Sequence, residues 1–275
     1  MYPVTSDIPP ESPYHSSPAP TAKRNRGLLG GLGALLVAAL AYGKYAFLIL
    51  VKIPFLLTAG TALVSVVAYS FLGGPWFAVG LVSMIFVHEM GHVIEIRRQG
   101  MHATAPIFIP FLGAAIFQRS HAQSPMRQAQ IGIAGPIAGT IGATVAFIFY
   151  GETHWVVLLT WAYFGFLINL FNMIPFGMLD GGWILAPTSK WVQVAGLAVL
   201  AYGWITGFIS PVVIIILILG LPMVWQRFRN KALDAYLTSG PPAPRIAMGL
   251  AWLGLVAYLS FFYLQTEQML GPFLR

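Results

Sequence analysis

The sequence predicts an all-α polytopic membrane protein, and three observations carry that reading. Of its 275 residues 57% are apolar and only 8% are charged, with a mean hydropathy of +0.76, whereas a soluble domain carries about 25% charged residues. Several stretches of about twenty residues are nearly free of charge, which is the length a helix needs to cross a ~30 Å hydrocarbon core. The fifteen basic residues behind the net charge of +7 are scattered or flank apolar segments. That distribution suits the positive-inside rule and contact with a lipid bilayer, and it lacks the clustered basic face that nucleic acid would need. The chain has no cysteine. Disulfides, thiol catalysis and sulfur-ligated metals are thereby excluded, and any metal must be held by His, Asp or Glu.

In chain order, residues 1–26 are rich in Pro and Ser and predict a disordered tail, ending in Lys23, Arg24 and Arg26. A polytopic domain follows over 27–265, with a short C-terminal tail at 266–275. Its apolar segments run approximately 28–50, 53–72, 76–96, 129–150, 155–174, 192–225 and 246–265, and predict about six transmembrane helices. Lys44 leaves 28–50 ambiguous between a span and an interfacial helix. Segment 192–225 is too long for one perpendicular span, so it is either tilted or two short helices broken near Gly207 and Pro211. If Lys23–Arg26, Arg97–Arg98, Arg119–Arg127 and Arg227–Lys231 share the cytosolic side, Glu152 and His154 lie opposite. Between Gly100 and Pro125, Pro106 and Pro110 bracket Ile107-Phe108-Ile109. Two prolines four apart do not fit a helix interior, and the stretch predicts a short, extended, membrane-dipping hairpin buried against the helices.

Two sites interrupt the oily chain. His88-Glu89-Met90-Gly91-His92 reads H-E-x-x-H inside the apolar run 76–96. On a helix, residues i and i+4 lie about 40° apart and ~6 Å along the axis, so His88 and His92 can reach one zinc ion while Glu89 lies off that line beside its water. A tetrahedral site also needs a third ligand. Asp7 and Glu11 lie in the tail, Glu152 on the opposite side and Asp234 in a basic segment. Glu95 is ~10.5 Å along the helix from His88 and is better placed to pair with Arg97 or Arg98. Asp180 alone sits at membrane depth without a basic neighbour, after a run that Pro175 stops and that Gly177, Gly181 and Gly182 allow to unwind. Its plainer role would be to cap the next helix.

H-E-x-x-H on one span and Asn172-x-x-Pro175-x-x-x-Leu179-Asp180-Gly181 on a later one resemble the two signatures of the site-2 protease family, intramembrane zinc metalloproteases. Gly132-Ile133-Ala134-Gly135-Pro136-Ile137-Ala138-Gly139 resembles that family's glycine–proline segment, and the likeness covers about 71–183. It implies a three-span catalytic core with one Zn2+ per chain, held by His88, His92 and Asp180, with Glu89 as catalytic base. It further implies that Asn172 contacts the substrate or its oxyanion, a role for which an interhelical hydrogen bond is the ordinary alternative. The substrates implied are membrane proteins with a transmembrane segment. The strand-forming residues Ile107 and Ile109 would then offer an edge to a substrate unwound near the site. Two rival readings of the same His/Glu/Asp cluster are a transporter or ion relay, and a protease-like scaffold without turnover. Gly135 and Gly139 predict close helix contact and no chemistry.

Overall fold

The computed structural model describes residues 31–38, 41–42, 54–118, 120, 122–207 and 213–273. The expected tail, most of segment 28–50, Arg119, His121 and Pro211 lie outside the described residues. The chain divides into two units, 1–49 and 50–275. In the first, residues 31–38 and 41–42 are helical.

The second unit is helical apart from one hairpin. Helix α1 spans Pro54–Arg98, but Gly73 and Gly74 leave helical geometry, Gly74 at φ +81°, and Pro75 restarts the coil. A straight helix of 45 residues would be roughly 68 Å long, more than twice a bilayer core. The break therefore yields two segments of spanning length, 54–72 and 75–98, as expected from the apolar runs. Two further helices are long and apolar enough to cross a membrane: α2 (Pro125–Thr153) and α8 (Pro242–Leu270). Between them come α3 (Val156–Asn172), α4 (Asp180–Ile184), α5 (Trp191–Ile205), α6 (Val213–Arg229) and α7 (Lys231–Leu237), and a 3-10 turn at Gly271–Phe273 closes the chain. Segment 192–225 is thus two short helices, with Gly207 in left-handed geometry after the first. Helix α8 continues to Leu270, past the expected boundary at 265.

Side chains place the ends of these helices. Ser124 caps α2, its hydroxyl accepting from the Arg127 N–H at 3.2 Å, with Pro125 at the first helical position. Trp76, Trp155 and Trp161 gather where the second half of α1 starts, α2 ends and α3 begins, and the Trp161 indole donates to the Trp76 carbonyl at 2.9 Å. At the far ends, Gln99 donates to the Arg127 carbonyl at 3.0 Å, which brings Arg97–Arg98 and Arg127 to one side. Tryptophan at one end and arginine at the other is the pattern of a spanning bundle. The expected partner of Glu95 is Arg98, at 2.6 Å.

The core lies between the second half of α1, α2, α3 and α8, around Met84, Ala143, Ala146, Ala162, Phe166 and Leu259. Small residues let α2 and α3 approach closely, as membrane helices do. Outward faces carry bare Phe71, Ile141 and Ile205, the last 79% exposed, a surface suited to lipid and not to water.

Strands β1 (Ile107–Ile109) and β2 (Gly113–Ala115) pair antiparallel, Phe108 facing Ala114. Phe108 is buried among Tyr69, Leu81, Val82 and Ile85 of α1, so the hairpin packs on the helices as expected. Its β1 edge is not free, which corrects the expectation for Ile107 and Ile109. Thr61 Oγ1 accepts from the Phe108 N–H at 3.2 Å, and Thr58 donates to the Pro106 carbonyl at 2.7 Å.

Beyond the spans, Asp234 on α7 joins Arg227 (2.9 Å) to Lys190 (3.2 Å). Burial raises the carboxyl pKa, but the hydrogen bonds from Arg227 and Lys190 outweigh it and hold the group below its ordinary value. A depressed carboxyl contributes stability above its unfolded value, near ~3.9, and loses it as pH falls through the folded value. Asp234→Asn should therefore lower the melting temperature of the solubilised protein at neutral pH. The gap from wild type should begin to close as pH falls below about 4 and go on closing through the lower, folded value; a gap that does not narrow on acidification would contradict the assignment.

Candidate metal centre

Two helices deliver the three side chains of the site. His88 and His92 stand one turn apart on the second half of α1, both buried, and Asp180 opens α4 directly after the unwound segment 173–179. His88 Nε2 lies 3.1 Å from Asp180 Oδ2, His92 Nε2 lies 3.3 Å from Asp180 Oδ1, and the two Nε2 atoms are 3.2 Å apart. The N-cap position of α4 is held by Leu179 and not by Asp180, which is its first helical residue.

The unwinding has local causes. Helix α3 stops at Asn172, two residues before the one that Pro175 bars from helical geometry. Gly177 then turns at φ +50°, and a side chain there would run into the Gly220 backbone of α6 at 2.7 Å.

The second nitrogen of each imidazole assigns its proton. Asn169, fully buried on α3, donates through Nδ2 to the Gly165 carbonyl at 2.7 Å, which leaves its Oδ1 to accept from His88 Nδ1 at 2.8 Å. His92 Nδ1 donates to the Ile131 carbonyl of α2, also at 2.8 Å. Both rings therefore carry a proton on Nδ1, and in the neutral form that a metal ligand takes each turns a bare Nε2 lone pair towards the other and towards a carboxylate. Asp180 Oδ2 is buried without a hydrogen-bond donor.

Three acceptors facing one another in a dry interior are repulsive unless a cation sits among them. The donor set, two imidazoles and one carboxylate, is that of a catalytic zinc site with an open position. The edges also fit: ligand bonds of about 2.0 Å in a tetrahedron put ligand atoms about 3.3 Å apart, against the observed 3.1, 3.3 and 3.2 Å. Among the described residues this is the group of His, Asp and Glu side chains close enough to share an ion.

Glu89 is buried beside His88 and makes no hydrogen bond or ion pair among the described residues. Asn172 is not brought into the cluster; its amide donates to its own helix, to the Ile168 carbonyl at 3.1 Å. The residue that does reach the site is Asn169, one helical turn earlier. Gly135 and Gly139 also have a role beyond helix contact. A side chain at 135 would collide with the His92 imidazole, and one at 139 with the Asn169 amide. The small residues of α2 make room for the site's own side chains.

Residues 76–155, from the second half of α1 to the end of α2, match the family model of peptidase family M50. A zinc metalloprotease of Methanocaldococcus jannaschii is 28% identical over 132 residues, which cover 45% of this chain and 38% of that protein. The chain therefore spans well under two thirds of that relative's length. The resemblance to the site-2 protease family is borne out by these two matches, and neither favours the transport or relay reading.

Asp180→Ala should abolish retention of zinc through dialysis against a chelator. Asn169→Ala should weaken zinc binding by about 10–100-fold, the usual cost of losing the partner that orients a ligand. Asn169→Asp, which keeps an acceptor for His88 Nδ1, should fall between that variant and wild type. Undiminished zinc in Asp180→Ala would overturn the ligand set.

Proposed function

We propose that this chain is an intramembrane zinc metalloprotease that hydrolyses peptide bonds within or near the transmembrane segments of other membrane proteins. The observation that carries this reading is the inward-facing triangle of His88, His92 and Asp180 with an unpaired buried carboxylate, Glu89, one residue along. By helical rise His88 and His92 lie ~18–24 Å from Trp76 and ~8–14 Å from Arg97. That depth supports a site below the arginine-bearing surface, which we assign to the cytosol with the basic residues of α6 and α7.

His88, His92 and Asp180 would hold the ion. The chemistry zinc supplies when bound is Lewis acidity, which polarises a carbonyl and lowers the pKa of water towards ~7. The remaining steps belong to side chains of this protein. Glu89 accepts the proton of the attacking water and returns it to the leaving amine nitrogen. Asn169 and Ile131 hold the two imidazoles in the required tautomer. Asn172 has one Nδ2 hydrogen on Ile168 and a second to offer a substrate carbonyl, which supports a contact with substrate.

A membrane helix hides its scissile bonds in its own hydrogen bonding, so a substrate must unwind and be held extended. Because Phe108 turns its N–H to Thr61, the facing residue Ala114 turns its N–H and C=O away from β1. No protein group meets them among the described residues. We therefore place the substrate-pairing edge on β2.

Glu89→Gln should abolish cleavage of a reporter transmembrane segment and still retain about one zinc per chain, because the base is lost and the ligands stay. Chelator should abolish wild-type cleavage. Cleavage that survives in Glu89→Gln, or that ignores the chelator, would end the protease reading. Ala114→Pro removes the outward N–H of β2 without touching the bonds to β1. It should slow cleavage about tenfold, as the loss of one well-aligned hydrogen bond would, with zinc content unchanged. Unchanged cleavage would remove β2 as the pairing edge and leave the chemistry standing.

A further inference from the structure

The unwound segment that carries Asp180 cannot hold its own shape. Between Met173 and Leu179 its backbone makes short turn contacts, from Phe176 N–H to the Ile174 carbonyl at 2.8 Å and from Leu179 N–H to the Phe176 carbonyl at 3.0 Å. None of these fixes where Asp180 stands relative to α1. A buried side chain on α5 does. Gln193 is 6% exposed; its Oε1 accepts from the Gly177 N–H at 2.8 Å and its Nε2 donates to the Gly182 carbonyl at 3.3 Å. One amide thus bridges the two ends of the turn, with Asp180 between them.

We infer that Gln193 is a positioning residue for the metal centre: it holds Asp180 at the distance from His88 and His92 that zinc requires. The inference rests on the metalloprotease reading and extends it to a helix beyond the family match, which ends at residue 155. Gly177 N–H and Gly182 C=O have no helical partner in the stretch between α3 and α5, and buried backbone groups must be paired. Asn in place of Gln would be one methylene too short to reach both. An apolar residue would leave both groups unpaired, and the cheapest repair is a shift of the turn that carries Asp180 with it. The surroundings keep the bridge from sliding. The Gly196 position, one turn along α5, lies against the Pro175 carbonyl, and the Trp252 indole of α8 donates to the Met173 carbonyl at 2.8 Å, just ahead of the turn.

The test uses the full chain in detergent. Gln193→Met keeps length and apolar volume and removes both hydrogen bonds. Two measurements are made on it: zinc affinity by competition with a chromophoric chelator, and amide hydrogen exchange of the peptide covering 176–184 with and without zinc. Zinc affinity should fall at least tenfold, in the range seen when a ligand loses its outer support, and exchange over 176–184 should speed up at least tenfold in the zinc-free protein. Leu159→Ala, a fully buried change on α3 away from the turn, should lower the melting temperature and leave both readings within about twofold of wild type. Wild-type exchange in Gln193→Met, or faster exchange with undiminished zinc affinity, overturns the inference. Equal zinc loss in Leu159→Ala also overturns it, since general loosening would then suffice. A wild-type chain that binds no zinc sinks the metalloprotease reading instead, while the exchange measurement still decides whether Gln193 holds the turn.

Discussion

Two bare imidazole nitrogens and a carboxylate, turned towards one another in a dry interior, are the constraint on which the rest of the structure depends. Neutral rings protonated on Nδ1 offer nothing to bind between them, and the three side chains are largely closed off from solvent. The neighbouring residues all serve to keep this unfavourable cluster in place. Asn169 and the Ile131 carbonyl hold the outer nitrogens. Gly135 and Gly139 yield the space the ring and the amide occupy. A cluster so disfavoured without a cation is correspondingly well prepared for one.

The same constraint explains helices that carry no chemistry. Irregular backbone within a membrane is tolerated only where protein satisfies its polar groups. The stretch from Met173 to Gly182 meets that condition through residues distant in sequence: Gln193 from α5 and Trp252 from α8. Helix α6 closes over Phe176, the Gly220 backbone lying against its ring. The later helices are the support that permits a ligand to sit on an unwound turn. Outside the bundle, Arg227 extends this support by donating to the Ala186 carbonyl at 2.8 Å while it pairs with Asp234.

The hairpin has an anchorage of its own. Because Thr58 and Thr61 occupy the outer edge of β1, the sheet is anchored to the first half of α1, and the break at Gly73–Gly74 separates that half from the one bearing His88 and His92. The hairpin is thereby tied to a different rigid segment from the metal ligands, although Phe108 packs against both halves. A substrate strand added to β2 would extend this sheet without disturbing either anchor.

Much of the site was legible in the sequence because it is local. Helical geometry alone puts His88 and His92 on one face and Glu89 off it, and a small inventory of acids left Asp180 as the candidate third ligand. Length and charge marked the spans, and 53–72 and 76–96 were legible as separate apolar segments. Rotation and register were not legible. Helix α3 is apolar on every side, so no polar stripe tells which of Asn169 and Asn172, some 60° apart, faces His88; only packing against α1 and α2 selects Asn169. The free edge of the hairpin depended on hydroxyls some fifty residues away on α1. The bridge from Gln193 depended on α5 folding back over a turn that precedes it. The sequence by itself determined which residues could bind a metal, because a helix relates them through fixed local geometry. Tertiary structure alone decided which residues hold them there, because those contacts join helices whose mutual orientation lipid-facing composition leaves open.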